Sequence, residues 1–199
     1  MKVAALIIGV DGWERYTMPL VQSLQFHEPK CDLIVIDNES KTPYPEQHWV
    51  FRRPRCCYSA AINYAKVMMG AADWYIVLSN DVLCTGPFIE ELAHTPPTWV
   101  AGPCLKQVHG YNYLEGWCVC IPADIWQELG GWDDNYRISS WEDVDFSTMA
   151  LKAGYNLAHM PDLPFKHMDQ RQRFTIVPDY WQSEEHNVRY FFRKHEGRK

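Results

Sequence analysis

The chain has 199 residues, of which 47% are hydrophobic and 22% are charged, a composition that suits one globular domain with a sizeable core. Its formal net charge of −6 argues against a protein that binds nucleic acid over its whole surface. No apolar run approaches the roughly 18 residues of a membrane span and no cleavage signal follows the apolar N-terminus, so we expect a cytoplasmic location.

Aromatic residues and cysteines give two further indications. Aromatic residues make up 14% of the chain and include nine Trp, which favours stacking surfaces of the kind that bind sugars and bases. The seven cysteines include the neighbours Cys56 and Cys57 and the alternating pair Cys118 and Cys120, and neither spacing matches a zinc ribbon or a redox motif. We therefore expect reduced thiols that pack as small apolar side chains.

The first half of the chain alternates segments of strand and helix character. Apolar runs of strand length occupy residues 3–10, 32–37 and 74–79, and segments with apolar residues at helical spacing lie between them at residues 14–26 and 59–69. This alternation is typical of a parallel sheet covered by helices. The sequence therefore predicts an α/β layer structure of the nucleotide-binding type.

The second half changes character, because Pro, Gly and Trp become dense. The strand-like segments "WVAGPCL" and "GWCVCIP" flank "KQVHGYNYLE", which we predict to be a loop. These segments predict a mixed or antiparallel extension of the same sheet.

Helical spacing returns in "EDVDFSTMALKAGY", where Phe146, Met149, Ala150 and Ala153 share one face and Gly154 ends the helix. One short strand within residues 156–167 and an amphipathic helix within residues 179–199 complete the predicted elements.

Acidic residues follow the predicted strands and open a predicted helix. Asp37 follows "LIVI", Asp81 follows "IVLSN", and Glu142 with Asp143 begins the helix. The carboxyl ends of parallel strands meet at one edge of a sheet, so we expect Asp37 and Asp81 to share a crevice. Ordinary explanations remain open: "DNES" and "SND" are also turn sequences, and acids in a first helical turn complement the helix dipole.

Asp81 poses a specific question, because it lies beside a buried apolar run. A buried carboxylate without a partner loses several kcal/mol of solvation, so Asp81 must lie at an exposed strand end or have a cationic partner.

Six segments in this order resemble family 2 glycosyltransferases of the GT-A fold, in particular small rhamnosyltransferase-like or phage-type members. The segments cover nearly the whole chain: "LIVIDNES", "YSAAINYAKVMMGAADWYIVLSNDVL", "GWCVCIPADIWQELGGWDDNY", "WEDVDFSTMALKAGY", "PFKHMDQ" and "VRYFFRKHEG". The resemblance implies a Rossmann-like, mostly parallel sheet with a mixed C-terminal extension. It also implies one domain with a nucleotide-sugar half (1–95), an acceptor and catalytic half (96–170) and a C-terminal helix and tail (171–199).

The resemblance implies a divalent metal site. Asp81 and His167 match the family's metal-binding positions, so they are the expected ligands of Mn²⁺ or Mg²⁺. Asn80 stands where many relatives carry the first Asp of a D-x-D motif, and its amide is expected to contact ribose or a metal-bound water. A strand-end histidine with no metal role is the alternative for His167.

The resemblance implies nucleotide binding at the carboxyl ends of the first two predicted strands. Asp37 matches the position that contacts the base or ribose, and Val10 and Asp11 replace the Thr-Tyr or Ser-Tyr that relatives usually show. Trp117 is a candidate for stacking on a sugar or acceptor ring, as is Trp141, and core packing is the alternative for both.

The E-D motif implies the chemistry. Asp143 matches the general base that removes the acceptor's proton, and Glu142 is expected to orient that base or to bind acceptor hydroxyls. Direct displacement of the nucleotide diphosphate would invert the anomeric configuration. The implied enzyme is an inverting glycosyltransferase that uses a nucleotide-diphosphate sugar, with UDP as the favoured nucleotide.

The acceptor remains open between a glycan, a small molecule and a hydroxymethylated base in DNA. Basic residues at Arg52, Arg53 and Arg55 and in residues 171–199 favour DNA, against the acidic total. Two other functions also remain: a sugar-nucleotide-binding protein without turnover, which Asn80 favours, and a nucleotidyltransferase. The latter requires a Gly-rich basic loop after the first strand, and "GVDGWERY" is a poor one.

Overall fold

A computed structural model of the chain describes residues 1–168 and 180–197. Its strands are β1 (Val3–Gly9), β2 (Asp32–Asn38), β3 (Val50–Arg53), β4 (Trp74–Ser79), β5 (Val82–Cys84), β6 (Trp99–Gly102), β7 (Leu105–Val108), β8 (Tyr111–Leu114), β9 (Cys118–Pro122), β10 (Asn156–His159) and β11 (Phe165–His167). Its α-helices are α1 (Met18–His27), α2 (Tyr58–Met69), α3 (Ile89–Ala93), α4 (Ala123–Leu129), α5 (Glu142–Lys152) and α6 (Tyr180–Glu196), and a π-helical turn (Trp13–Thr17) precedes α1.

A seven-stranded sheet in the order β10-β6-β9-β4-β1-β2-β3 forms the centre of the molecule. Strand β9 is antiparallel to both of its neighbours, and the other neighbouring strands are parallel. The predicted α/β class, with a mostly parallel sheet and a mixed extension, is therefore confirmed. Gly9 pairs with Asp37 and Ile8 pairs with Ser79, so the carboxyl ends of β1, β2 and β4 meet at one edge.

The core has a layer on each face of this sheet. Alternate residues of β1 point to opposite faces, so Ala5 and Ile7 pack near α1 while Ala4 and Leu6 pack near α2. All seven residues of β1 are buried, as expected for a central parallel strand.

The predicted loop between "WVAGPCL" and "GWCVCIP" was wrong, because these residues form the antiparallel hairpin β7–β8. Its two turn residues, His109 and Gly110, have φ angles of 49° and 87°, the positive values that tight hairpin turns require. Most hairpin residues are exposed or half-buried, so no apolar alternation marked these strands in the sequence.

Residues 156–167 also differ from prediction, because they form two strands where one was expected. Strand β10 joins the main sheet beside β6, whereas β11 pairs with β5 in a separate two-stranded sheet. Pro161 and Pro164 lie between the two strands and lack the N–H that a continuous strand would use. Strand β3, beside β2, was not predicted.

The C-terminal helix α6 confirms the predicted amphipathic segment. Tyr180, Ser183, Asn187 and Phe191 are its buried residues, and Phe191 packs against Trp141. Residues 169–179 and 198–199, which include part of the predicted basic stretch and the end of "PFKHMDQ", lie outside the described residues. Within residues 1–168 and 180–197, no helix is both long enough and apolar enough to cross a membrane.

Candidate active site

A cavity of about 740 Å³ lies where the carboxyl ends of β1 and β4 face the start of α5 and one side of α6. Its lining includes most of the residues that the sequence singled out: Val10, Asn80, Asp81, Trp117, Trp141, Glu142, Asp143 and His167. Asp11 and Asp37 are the two predicted site residues that do not line it.

Asp81 has a hydrogen-bonding partner, which its burial requires. Strand β11 pairs with β5 so that His167 lies opposite Val82, and the Nε2 atom of His167 lies 3.2 Å from Oδ2 of Asp81. Asp81 is 5% exposed, so it does not lie at an open strand end.

This pair fits a divalent cation by its chemistry, since a carboxylate oxygen and an imidazole nitrogen converge beside the cavity. In the described part of the chain, no group of three or more His, Cys, Asp or Glu side chains could hold a metal. Two protein ligands suit a cation whose remaining positions are taken by substrate phosphates and water.

Trp117 orients His167. The two rings stack with centroids 5.0 Å apart and planes 17° apart. The indole Nε1 donates to Glu115 at 3.0 Å, and Lys106 donates to the other oxygen of Glu115 at 2.6 Å. Burial raises the pKa of Glu115, but hydrogen bonds from Cys104, Lys106 and Trp117 outweigh it, so the pKa lies below its ordinary value. The ionised Glu115 therefore fixes the indole, and the indole fixes the imidazole.

Asn80 is held by hydrogen bonds that turn its NH₂ group into the protein. That group donates to the Asp11 carbonyl and the Thr17 hydroxyl, both at 3.1 Å, and to the Tyr44 hydroxyl at 3.2 Å. The Asp11 carbonyl can only accept, which fixes the orientation of the amide. Gly9 permits this packing, because a Cβ there would lie 2.5 Å from the Tyr44 hydroxyl.

Asp37 and Asp11 both bond to the loop after β2. Asp37 is 1% exposed, and its oxygens accept from the backbone N–H groups of Ser40 and Tyr44 and from Arg52. The Asp11 carboxylate accepts from the Lys41 N–H at 2.7 Å. These contacts match the turn explanation for "DNES", and a nucleotide contact by either residue stays a prediction.

Asp143 is anchored by backbone donors at the start of α5. Its Oδ2 accepts from the Gly116 N–H at 3.0 Å and its Oδ1 from the Val144 N–H at 2.9 Å. A Cβ on Gly116 would lie 3.2 Å from the Cβ of Asp143, so glycine allows this close approach. The Tyr58 hydroxyl donates to the Gly116 carbonyl at 3.2 Å and fixes the donor in turn.

Glu142 is the poorly satisfied member of the pair. It is 6% exposed, its Oε1 accepts a long 3.4 Å hydrogen bond from Ser139, and its Oε2 is buried with no hydrogen-bond partner. Burial, followed by the adjacent Asp143 charge, raises the pKa of Glu142. Burial also raises the pKa of Asp143. Both carboxyls therefore keep their protons to a higher pH than exposed carboxyls do.

The segment before α5 has an unusual backbone. Ile138, Ser140 and Trp141 have φ angles of 44°, 93° and 70°, a region that non-glycine residues rarely adopt. Trp141 is 7% exposed and packs against Phe191, which matches the core-packing alternative for this residue.

Sequence reasoning overlooked several cavity residues. Asn38 is adjacent to Asp37 in the same motif and exchanges hydrogen bonds with the Cys56 backbone. Gly116, directly before Trp117, gave only weak sequence evidence of a functional position, namely that a glycine next to a strand often marks a close approach of the backbone to another group. Trp181 and Glu184 of α6 carried none, because nothing in the local sequence shows that α6 reaches this cavity.

The sequence and the fold gave different results when compared with known proteins. No family model matches the sequence, and no curated protein matches it. The fold matches the mannosyltransferase PcManGT from Pyrobaculum calidifontis, in complex with GDP-Man and Mn²⁺, with a TM-score of 0.72 and 13% identity. It also matches GalNAc-T7 with UDP, GalNAc and Mn²⁺, with a TM-score of 0.74 and 13% identity.

These matches cover 100% and 96% of this chain but only 65% and 49% of those two proteins. A mutant of Drosophila β1,4-galactosyltransferase 7 in complex with manganese, UDP-Gal and xylobiose matches with a TM-score of 0.60 and 14% identity, over 94% of this chain and 79% of that one. At such identities the likeness shows the fold alone: the chain has the GT-A fold that its motifs predicted.

Proposed function

We propose that the chain is a metal-dependent inverting glycosyltransferase that moves a sugar from a nucleotide-diphosphate sugar, with UDP as the favoured nucleotide, to an acceptor hydroxyl. One observation supports this above the others: Asp81, His167, Glu142 and Asp143 all line the same cavity. The solved structures of this fold that contain Mn²⁺ with GDP-Man, UDP or UDP-Gal support the choice of donor and cation.

The donor side of the cavity would bind the diphosphate. Asp81 and His167 would hold Mn²⁺ or Mg²⁺, and the bound cation would neutralise the charge that grows on the leaving diphosphate. The Asn80 carbonyl, opposite its fully engaged NH₂ group, would accept from a ribose hydroxyl or a metal-bound water. Trp117 keeps the His167 ring in place while this occurs.

The acceptor side would carry out the proton transfer. The acceptor oxygen forms a bond to the anomeric carbon, its proton passes to the Asp143 carboxylate, and the bond from that carbon to the diphosphate breaks with its electrons. The Gly116 and Val144 N–H groups hold Asp143 in place for this step. Glu142, which also lines the cavity, would orient Asp143 or bind a neighbouring acceptor hydroxyl.

The charge of the lining favours a neutral acceptor, such as a glycan or a polyhydroxylated small molecule, over DNA. Among the described lining residues, the carboxylates outnumber Arg55 and Lys106: they are Asp81, Glu115, Glu142, Asp143, Glu184 and Glu185. Such a lining repels a polyanion wherever no bound cation offsets its charge, so it disfavours DNA at the acceptor position. Arg52 pairs with Asp37 at 2.9 Å and Arg53 donates to the Ala60 carbonyl at 3.0 Å, so both basic residues have structural partners.

The test is a nucleotide-release screen across UDP-, GDP- and TDP-sugars, with Mn²⁺, Mg²⁺ or chelator, followed by acceptor arrays. We expect cation-dependent release from one donor and a product of inverted anomeric configuration by NMR. Donor binding without release would favour the non-catalytic alternative, and pyrophosphate release from a nucleoside triphosphate would favour the nucleotidyltransferase. The division at residues 95 and 170 and the cytoplasmic location remain part of the proposal.

A further inference from the structure

One side chain of α6 holds the strained segment that leads into the E-D motif. Asn187 is 0% exposed, and its amide donates to the carbonyls of Arg137 at 2.9 Å, Ser139 at 3.3 Å and Ser140 at 2.8 Å. Its carbonyl accepts from the Arg137 N–H at 2.8 Å. A single asparagine thus replaces the regular hydrogen bonding that this segment lacks.

The remaining carbonyl of the segment is also occupied. The Ile138 carbonyl accepts from the Tyr58 N–H at 2.7 Å, so all four successive carbonyls from residue 137 to residue 140 have donors. Backbone in sparsely populated φ regions persists only where its surroundings hold it. Asn187 supplies three of the four hydrogen bonds to these carbonyls, in addition to accepting one from the Arg137 N–H.

This segment determines where the two carboxylates begin. Helix α5 starts at Glu142, and its N-terminus has no side-chain cap of its own. The Ser139 hydroxyl, whose residue Asn187 binds through the backbone, is the hydrogen-bond donor to Glu142. Asn187 does not line the cavity, so it has no means of touching a substrate there.

We propose that Asn187 is a positioning residue, which sets Glu142 and Asp143 in the geometry that sugar transfer requires. This inference rests on the proposed function of the same cavity. It makes α6 a part of the catalytic apparatus, although α6 is remote in sequence from the motif that it supports.

Helix α6 has other anchors, so an Asn187 variant is expected to keep it docked. Lys194 contacts Asp133 at 2.6 Å and Asp145 at 2.9 Å, and His195 contacts Asp145 at 2.6 Å. Asp145 is 0% exposed, which places these contacts beneath the helix.

The test compares Asn187→Asp and Asn187→Ala with Tyr190→Phe, which removes one hydrogen bond from the same helix to Asp133. Asn187→Asp keeps the shape of the side chain but turns an oxygen toward carbonyl oxygens. When catalytic groups are misplaced, the rate of the chemical step falls but binding of the substrate does not change. We therefore expect kcat to fall by roughly 10- to 100-fold in both Asn187 variants. The donor KM should stay within about twofold, and Tyr190→Phe should match the parent.

Hydrogen exchange gives a second measurement that needs no substrate. The amides of residues 138–146 should lose protection in both Asn187 variants, while those of β1 and β4 keep it. Parent-like kcat in the Asn187 variants would overturn the proposal. So would a joint loss of kcat, donor affinity and β1 and β4 protection, which would make the role one of folding alone.

Failure of the proposed function would give a different result. A parent that releases nucleotide from no donor in the screen would remove the glycosyltransferase assignment itself. Exchange of residues 138–146 would then still decide whether Asn187 fixes the backbone before Glu142, and unchanged protection in both variants would refute that contact.

Discussion

Two groups of cavity residues differ in the regularity of their backbone and in how well their side chains are hydrogen-bonded. On the donor side, Asn80 and Asp81 follow strand β4, His167 is the last residue of β11, and all three hydrogen-bond to neighbouring groups. On the acceptor side, Glu142 keeps an unpartnered buried oxygen, and the backbone before it has positive φ angles at three residues. We call these the donor edge (Asn80, Asp81, His167) and the acceptor edge (residues 137–143).

Under the proposed function, this difference is a division of labour. The donor edge would bind a cation and a diphosphate with little rearrangement, because sheet register has already placed the ligands. The acceptor edge holds Glu142 and Asp143, whose pKa values are raised by burial, so it is the part of the cavity that would move a proton. Its backbone needs support from elsewhere, and α6 provides it.

The largest expected effect concerns the donor edge. Asp81→Asn keeps the size of the side chain but removes the charged metal ligand, so turnover should fall by about 10²-fold or more and no longer respond to chelator. Asp73→Asn is the matched control, since Asp73 lies at the opposite end of β4, where it accepts from the Lys2 N–H. Turnover near the parent's in Asp81→Asn would remove the metal site.

A second large effect distinguishes the edges from each other. Asp143→Asn should reduce transfer by about 10²-fold, because an amide cannot take the acceptor's proton. Donor affinity should stay within about threefold, since the donor edge is untouched. Calorimetric titration of UDP with Mn²⁺ and initial rates measure the two quantities.

The control for this variant is Asp124→Asn, which removes an acid from the first turn of α4. If transfer by Asp143→Asn matches transfer by Asp124→Asn, the acids of α5 serve only the helix dipole. A product that retains the donor's anomeric configuration would contradict the single displacement.

The strand ends that carry Asn80 and Asp81 were predictable from sequence because their information is local, whereas His167 was identified through the family resemblance. Apolar runs located β1, β2 and β4, and the residues just after them had to meet at one edge of a parallel sheet. Asp37 shows the limit of this reasoning: position alone did not reveal that its oxygens bond to Ser40, Tyr44 and Arg52.

The acceptor edge was only half predictable. The helix that starts at Glu142 and the amphipathic character of α6 were predicted correctly. The predicted apolar stripe of α5 holds as far as Ala150, whereas Ala153 follows the helix and is exposed. The hairpin β7–β8 and the contacts of Asn187 were missed. Periodicity reports which face of an element is buried, but it does not report which distant element buries it.

A smaller effect tests whether the buried carboxyl of Glu142 lowers the stability of the fold while it supports transfer. The pKa of Glu142 is raised in the folded protein, so above pH 4.5, its ordinary pKa, the folded state binds more protons than the unfolded state does. The free energy of unfolding therefore falls as the pH rises above 4.5. Glu142→Gln removes the buried charge, so its Tm at pH 8 should exceed the parent's by about 2–4 °C while transfer falls.

The check is thermal unfolding of both proteins at pH 5 and pH 8. We expect the difference in Tm to grow between the two values. A Glu142→Gln variant that is less stable than the parent at pH 8 would show that Glu142 is ionised and paired in the folded protein.

The smallest effect concerns the outer support of the acceptor edge. Burial raises the pKa of Asp133, but hydrogen bonds from Lys194 and Asn135 outweigh it and lower the pKa to about 2. A carboxyl with a lowered pKa stabilises the fold above its ordinary value of 3.8, and that contribution is lost as pH falls toward 2. Asp133→Asn should therefore lower Tm at pH 6 by about 1–2 °C, the effect of about 0.5 kcal/mol for a partly exposed ion pair.

At pH 2 the Tm values of the parent and Asp133→Asn should nearly coincide, because most of the carboxyl's contribution to stability is lost once the pH has fallen to its folded-state pKa of about 2. Lys194 keeps its contact with Asp145 in the variant, so α6 stays docked and the acceptor edge keeps its Asn187 support. Transfer at pH 7 should consequently match the parent's. A large loss of transfer with so small a loss of stability would mean that the docking of α6 as a whole, and not the Asn187 contacts, sets the geometry of Glu142 and Asp143.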